Sequence, residues 1–247
     1  VVVYIVPLYL VSACSCSPKE WSFMYSVVIH IYNISTMNIA ELSNIREAVP
    51  PLPYGGTEYV ISAVTEGLAQ KGHDVSLFAT GDSKTKGNLE YVCEKSIGFG
   101  KISEENADML LKKHLDFFLS KANSFDLIHN HILETFAHSS TNRPPKVTTL
   151  HTELTRPNEQ RILQTPEAQK TFFVSISDNQ RKSLPNLPYI QTIYHGIPVQ
   201  EYPFRDIAGE YFVFLGRITP EKGVELAVEV AKQTGRKLII AAKVDEP

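Results

Sequence analysis

The sequence predicts a doubly wound α/β fold, in which a parallel sheet carries helices on both faces. From residue 37 onward, short apolar runs alternate with amphipathic segments of helical period, which is the order of repeated βαβ units. Apolar residues make up 43% of the 247 positions, enough for a packed core, and the formal net charge is only −3. Together these features exclude a collagen, a coiled coil, a disordered chain and a strongly basic nucleic-acid binder.

Six apolar runs have the length and composition of buried parallel strands. Two segments between them, Thr57–Lys71 and Glu104–Ala122, concentrate their apolar residues on one face and predict amphipathic helices. Gly72 is placed to end the first of these helices. The predicted strands are Asn38–Leu42, Val75–Ala79, Asp126–His129, Lys146–Leu150, Thr171–Ile176 and Tyr189–Tyr194.

A second domain is predicted to begin where prolines and a glycine interrupt the pattern, between residues 198 and 210. A strand (Tyr211–Leu215), a helix (Glu221–Thr234) and a strand (Lys237–Ala241) follow, which make one βαβ unit. A single unit cannot bury both faces of its sheet, so we expect the opening of an incomplete second domain. The predicted organisation is an extension over 1–36, a first domain over 37–205 and the βαβ unit over 206–247.

Residues 1–36 differ in composition from the rest of the chain. Only Lys19 and Glu20, of 24 basic and 27 acidic residues, lie before residue 41. The uncharged run Val1–Ala13 contains Pro7 and is too short to span a membrane. Val11–Cys14 looks like a lipoprotein cleavage site, but no basic segment precedes it. We expect an extension outside the sheet, either a mis-assigned start or a leader, and nearly unchanged stability in a chain that begins at Met37.

Three cysteines are too few for a disulfide framework, and only Cys93 lies beyond residue 16. The body of the chain therefore predicts a reduced, cytoplasmic domain, with association at the inner face of a membrane as a further option.

The segment Pro53–Glu58 follows the first predicted strand and opens the first predicted helix. Gly55 and Gly56 allow a ligand to approach the backbone closely, and the helix N-terminus offers free N–H groups to an anion. Thr57 is a candidate N-cap of that helix. The alternative is a turn without a ligand.

Three histidines are predicted at the carboxyl ends of neighbouring strands. His129 and His131 end one strand, and His151 ends the next. Ligands of open α/β sheets lie beyond this edge. We expect ligand contact or ordinary structural histidines, and no metal, because no cysteine or acidic cluster accompanies the three residues.

Arg217 ends the strand that opens the second domain, and Lys222 precedes the next helix. A planar and a point cation beside a helix N-terminus can clamp a diphosphate. The alternative is a solvated loop that carries ordinary charges.

Taken together, these motifs resemble glycosyltransferase family 4, whose members are retaining enzymes with two Rossmann-like domains of the glycosyltransferase B type. The resemblance covers about 210 residues from Met37 to the end of the chain. The motifs that carry it are Gly55-Gly56-Thr57-Glu58, Gly72-His73-Asp74-Val75, Phe78-Ala79-Thr80-Gly81-Asp82-Ser83, Asp126-Leu127-Ile128-His129-Asn130-His131, Thr149-Leu150-His151, Ser175-Ile176-Ser177-Asp178, His195-Gly196-Ile197, Phe214-Leu215-Gly216-Arg217 and Pro220-Glu221-Lys222-Gly223.

The resemblance implies transfer of a sugar, with retention, from a nucleotide-diphosphate sugar to a carbohydrate or lipid-linked acceptor, without a cofactor. Arg217 and Lys222 match residues that neutralise the donor diphosphate, and the Gly55-Gly56 loop faces that diphosphate. His151 matches the catalytic histidine near the transferred sugar. The remaining site residues would line the acceptor side of the cleft: Thr57, Glu58, His129 and His131.

Two departures from the family are visible. His195 replaces the usual Asn before the Gly-Ile turn, and the family's downstream Glu-x7-Glu motif has no counterpart here, because the three such spacings in this chain lie elsewhere in the fold. The chain alone is therefore expected to turn over slowly or not at all, and to pair with a complementary chain or with itself. A non-catalytic module that binds a glycan or a partner is the alternative. A dinucleotide enzyme is disfavoured because no Gly-x-Gly-x-x-Gly motif opens the first βα turn.

Overall fold

The computed structural model describes residues 36–52, 55–98, 101–138, 144–197 and 199–242. The chain divides into two compact units, of which the first ends at Gly196 and the second begins at Ile197. The predicted extension over residues 1–36 lies outside the described residues, apart from Thr36. The predicted boundary between 205 and 206 stays a prediction.

Seven parallel strands form the sheet of the first unit, which confirms the predicted doubly wound, Rossmann-like class. Their order in the sheet is β3-β2-β1-β4-β5-β6-β7. The strands are β1 (Asn38–Leu42), β2 (Asp74–Phe78), β3 (Asn88–Glu90), β4 (Leu127–Asn130), β5 (Lys146–Thr149), β6 (Phe172–Ser175) and β7 (Tyr189–Thr192).

All six predicted strands are present, with ends that differ from the predicted ones by at most two residues. β3 was not predicted, because Asn88–Glu90 is an edge strand of three residues with no apolar run. It pairs with β2 through main-chain hydrogen bonds, with Ser76 opposite Asn88, and hydrogen bonds of this kind leave little trace in a sequence.

Two long helices cover opposite faces of the sheet. Helix α1 spans Gly56–Gln70, and helix α2 spans Glu104–Lys121. Phe118 of α2 packs with Phe78, whereas Ile61 of α1 packs with Leu77. Because successive side chains of a strand point to opposite faces, these two clusters cover the two sides of β2.

Local sequence accounts for the start of α2 and for the end of α1. Ser103 caps the start of α2, since its hydroxyl accepts a hydrogen bond from the amide of Asn106 at 3.3 Å. Gly72 follows α1 with a φ of +89°, in the left-handed region that glycine adopts at helix ends.

Three short helices follow β5 and β6: α3 (Pro157–Leu163), α4 (Pro166–Gln169) and α5 (Asp178–Arg181). Leu163 of α3 and Ala168 of α4 belong to a separate apolar cluster with Phe173 of β6 and Leu150. None of the three was predicted, because they are too short to show a helical period.

The second unit contains β8 (Phe212–Leu215), a 3-10 turn (Pro220–Lys222), helix α6 (Val224–Thr234) and β9 (Leu238–Ala241). The two strands are parallel neighbours, so this is the predicted βαβ unit. Large apolar side chains of the unit are exposed, among them Leu215 at 83% and Leu226 at 71%.

Within the described parts of the chain, no helix has the length and apolar character that crossing a membrane requires.

Phe78 is the residue on which one face of the sheet depends. Its ring is fully buried and makes edge-on contacts with Phe118 and Phe125. We expect Phe78→Ala to lower the free energy of unfolding by about 3–5 kcal/mol, through lost burial and the cavity left behind. Urea denaturation measures this, with Phe204→Ala as the control because that ring is 90% exposed. Equal losses from both substitutions would contradict the packing described here.

Candidate functional site

The order of the strands places the candidate site at one edge of the sheet. From β1 the chain first adds β2 and β3 on one side, and then adds β4 to β7 on the other. The sheet therefore has its topological switch point between β1 and β4, where ligands of open α/β sheets bind beyond the carboxyl ends of the strands. Residues that end β1, β4 and β5 are the ones to consider.

A buried carboxylate and two histidine rings meet at this point. Glu41, in β1, is fully buried, and its Oε1 lies 3.0 Å from His129 Nδ1. Its Oε2 lies 3.1 Å from His131 Nε2. The register pairs Glu41 with His129 across β1 and β4, and His131 lies two residues further on, so the strand alternation brings both rings to the same face.

The network extends from these rings to β5 and the residue after it. His129 Nε2 lies 2.8 Å from Thr149 Oγ1, and His131 Nδ1 lies 2.8 Å from His151 Nε2. The ring of His195 stacks on that of His151 at 5.3 Å between centroids. The structure thus brings the three predicted histidines together and adds Glu41, Thr149 and His195.

Burial and hydrogen bonding decide the charges in this network. Burial by itself would raise the pKa of Glu41, but the charge of His129 and hydrogen bonds from both rings outweigh it and hold the pKa below its usual value. Burial, with repulsion from neighbouring histidines, lowers the pKa of His131 to about 4 and that of His151 to about 2. At neutral pH the cluster therefore contains an anionic Glu41 with neutral rings at His131 and His151.

Glu41, His129 and His131 are also the described residues that could hold a metal ion, because one ligand atom of each lies within 4.8 Å of the others. Both oxygens of Glu41, and one ring nitrogen of each histidine, already take part in hydrogen bonds inside the group. The group is therefore satisfied without an ion. No metal was predicted because no cysteine or acidic cluster accompanies the histidines in the sequence; the fold supplies Glu41, and the absence of a metal stays a prediction.

The glycine loop after β1 differs in detail from the prediction. Helix α1 begins at Gly56, with Gly55 as its N-cap, and the predicted N-cap Thr57 lies in the first turn instead. Gly55 has a φ of +153°, and a Cβ there would lie 2.6 Å from Glu58 Oε2 and 2.7 Å from Pro51 Cβ. The Glu58 side chain folds back over this position and leaves no room for another side chain. Gly55 is therefore the N-cap, and α1 has no side-chain hydrogen bond at its cap.

Gly56 is the more open of the two glycines. A Cβ built on it would meet no described atom within 4 Å. The first amides of α1 lack partners within the helix, and a group that accepts hydrogen bonds can reach them past Gly56. Glu58 stands in the same turn, and burial together with repulsion from Glu47 raises the pKa of its carboxyl.

A polar cavity of about 320 Å³ adjoins His151. Its described lining residues belong to the first unit and carry hydroxyl, amide and carboxylate groups, and none of them is a lysine or an arginine. This lining suits a neutral ligand with many hydroxyl groups better than a phosphate. Polar residues of the wall include Thr152, Glu153, Thr155, Ser177, Asn179 and Ser183.

In the second unit, the two residues of the predicted diphosphate clamp lie in the segment that joins β8 to α6. Arg217 follows β8 by two residues, and Lys222 closes the 3-10 turn with its amide donating to Thr219 O at 3.0 Å. Gly223, with a φ of +73°, turns the chain into α6. Two cationic residues thus lie in the segment that leads into α6, and a helix N-terminus favours an anion.

Glu41 was not predicted as a site residue, although the sequence indicates that it needs partners. It is the one charged residue in the predicted strand Asn38–Leu42, and a charged residue in a fully buried parallel strand must have partners. Thr149 and His195 carry no such signal, because their positions beside the rings depend on the fold.

The chain is similar to known proteins both in sequence and in fold. The model of Glycosyltransferase Family 4 matches residues 54–201, and no curated protein matches the chain. The chain resembles the crystal structure of AviGT4, a glycosyltransferase involved in avilamycin A biosynthesis, with a TM-score of 0.56 and 22% identity over 85% of this chain and 58% of that one. It also resembles sucrose-phosphate synthase from Thermosynechococcus elongatus, with a TM-score of 0.60 and 17% identity over 84% of this chain and 63% of that one. The chain thus spans less than two thirds of the length of these two structures.

The buried neutral histidines predict a loss of stability in acid. His114 and His131 are both buried in the folded state, with pKa values of about 4, against 6.5 for the free side chain. As pH falls below 6.5, the unfolded chain takes up protons that the folded chain does not, so stability present above 6.5 is lost down to about 4. Each histidine should remove about 3 kcal/mol over that window.

Urea denaturation at several pH values measures this loss. His114→Gln keeps an N–H donor for Ser43 O but does not titrate, so we expect it to remove about half of the slope due to these two residues. A free energy of unfolding that is constant from pH 6.5 to 4 would show that the rings are not buried in neutral form.

Proposed function

The chain belongs to glycosyltransferase family 4, and on that premise we propose that it takes part in transferring a sugar, with retention, from a nucleotide-diphosphate sugar to a carbohydrate or lipid-linked acceptor. The observation that carries the proposal is the switch point of the sheet, where the Gly55-Gly56 loop follows β1 and the histidine cluster joins the ends of β1, β4 and β5. The configuration of the sugar in donor and product, read by NMR, tests retention.

Each part of the site has a distinct task in this reaction. Departure of the nucleoside diphosphate leaves negative charge on its oxygens, and Arg217 and Lys222 beside the start of α6 are suited to stabilise it. In the first unit, the open amides at Gly56 also favour an anion. His151 would contact the sugar. The acceptor side would be lined by Thr57, Glu58, His129 and His131.

The acceptor is proposed to be a neutral polyhydroxyl compound at its reacting end. The cavity beside His151 offers hydroxyl and amide groups from Thr152, Ser177, Asn179 and Ser183, and no lysine or arginine is among its described lining residues. Sugar hydroxyl groups can both donate to and accept from such residues.

Binding of a glycan without transfer is a second candidate function. It is favoured by one observation, that this cavity lies wholly in the first unit. Binding of an oligosaccharide by a chain that does not bind a nucleoside diphosphate would select this function.

The diphosphate clamp is tested by calorimetric titration with uridine diphosphate and, separately, guanosine diphosphate. Arg217→Ala or Lys222→Ala should weaken binding by roughly 1–3 kcal/mol, as expected for a hydrogen bond to a charged group. The effect should decrease with added salt, since a partly exposed clamp is screened. Lys232→Ala is the matched control, because Lys232 lies in the last turn of the same helix. A loss as large in Lys232→Ala, or none in Arg217→Ala, would remove the clamp from the site.

The two glycines provide a paired test of the loop. Gly56→Ala should leave the urea midpoint nearly unchanged, because its Cβ meets open space, yet weaken binding of the same nucleoside diphosphate by blocking approach to the helix amides. Gly55→Ala should lower the midpoint, because its φ of +153° and the contacts with Glu58 and Pro51 oppose a side chain. Unchanged binding by a folded Gly56→Ala variant would show that this loop is only a turn.

A further inference from the structure

The hydrogen bond between His131 and His151 has one proton, and the surrounding groups decide which ring carries it. His131 Nδ1 and His151 Nε2 are 2.8 Å apart, so one of the two nitrogens donates and the other accepts. A neutral imidazole carries one N–H, and the partner of its other nitrogen therefore determines its tautomer. For His131 that other nitrogen faces Glu41 at 3.1 Å.

Glu41 allows only one arrangement of protons. Its carboxylate is fully buried and ionised, so both oxygens accept hydrogen bonds and neither donates. His131 Nε2 must then carry the hydrogen that faces Oε2. A neutral His131 consequently presents a lone pair at Nδ1, and the hydrogen between the two rings belongs to His151 Nε2.

The reverse arrangement has a physical penalty. It would place the lone pair of His131 Nε2 against an anionic oxygen at 3.1 Å, in a site where the His131 side chain is 1% exposed. A buried carboxylate oxygen would lose its donor, and two acceptors would face each other in a medium of low dielectric constant. His129 does not change the outcome, because its Nδ1 donates to the other carboxylate oxygen whether that ring is neutral or charged.

The arrangement leaves the second nitrogen of His151 as an acceptor. His151 Nδ1 is buried and has no hydrogen-bond partner among the described residues. A buried acceptor without a donor is unfavourable, and His195, which stacks on the face of the ring, does not supply one.

We propose that Glu41 is a positioning residue which, through His131, fixes His151 as the Nε2–H tautomer, so that His151 Nδ1 can accept a hydrogen bond and cannot donate one. A ligand group that reaches this nitrogen must then carry its own hydrogen, as a sugar hydroxyl does and an ionised phosphate does not. His151 accordingly holds the sugar and does not protonate the leaving diphosphate. The proposal rests on the proposed function for the identity of the ligand, but the tautomer itself does not.

Nitrogen-15 NMR of the full chain labelled at histidine tests the tautomer, because the protonated and unprotonated ring nitrogens have well-separated shifts. Single substitutions of each histidine by glutamine assign the signals. We expect the Nε2–H form for both His131 and His151 at neutral pH. The Nδ1–H form at His151 would overturn the proposal, and no donor substrate is needed to see it.

Glu41→Gln then tests the link between Glu41 and His151. A carboxamide has one acceptor and one donor end, so only one of the two rings beside it can keep its N–H in place. We expect His131 and His151 to change tautomer together, or else His129 to change alone. A change at His151 without one at His131, or no change in any of the three rings, would overturn the proposed relay.

His114 serves as the internal control for folding. Its Nε2 lies 3.0 Å from Ser43 O, a carbonyl that only accepts hydrogen bonds. Its Nε2–H signal should therefore be the same in the unsubstituted chain and in Glu41→Gln. If Glu41→Gln does not fold, the measurement on the unsubstituted chain still decides the tautomer. If the unsubstituted chain shows the expected tautomers but does not bind a nucleoside diphosphate, the proposed function is contradicted. The proposed relay from Glu41 through His131 to His151 is then still supported.

Discussion

The burial of one carboxylate constrains the rest of the site. Glu41 lies in β1, an interior strand of the sheet, with no exposed surface, and an ionised carboxylate in such a place is stable only when its oxygens are hydrogen-bonded. His129 and His131 meet that need, one at each oxygen. The orientation of both rings follows from this, and through His131 so does that of His151.

The same constraint acts at the topological switch point of the fold. β1 is the strand from which the chain extends the sheet in both directions, so its carboxyl end adjoins both the glycine loop and the end of β4. Hydrogen bonds between Glu41 and the rings therefore link β1 and β4 at the place where the sheet opens toward ligands. The predicted loss of stability in acid and the proposed ligand contact therefore involve the same few side chains.

The two units differ in the ligand chemistry that they offer. The cavity and histidines of the first unit supply neutral donors and acceptors, which match hydroxyl groups. In the second unit, Arg217 and Lys222 lie in the segment that leads into a helix, and we propose that they bind a diphosphate. The proposed donor, a nucleotide sugar, contains both kinds of group.

The sequence by itself determined the fold class, the βαβ unit and the positions of His129, His131 and His151 at strand ends, because strand and helix periods are local properties of the chain. Apolar runs and flanking glycines located the strands of the first unit except β3, whose pairing is made by main-chain atoms. The N-cap of α1 was predicted two residues too far along, at Thr57, because the backbone conformation of Gly55 depends on packing against Pro51 and Glu58. Only the tertiary structure decided that Glu41, some 90 residues before the histidines, stands between two of their rings. The physical reason is that strand order in a parallel sheet is set by packing over the whole chain, while the sequence records only the order in which the strands occur.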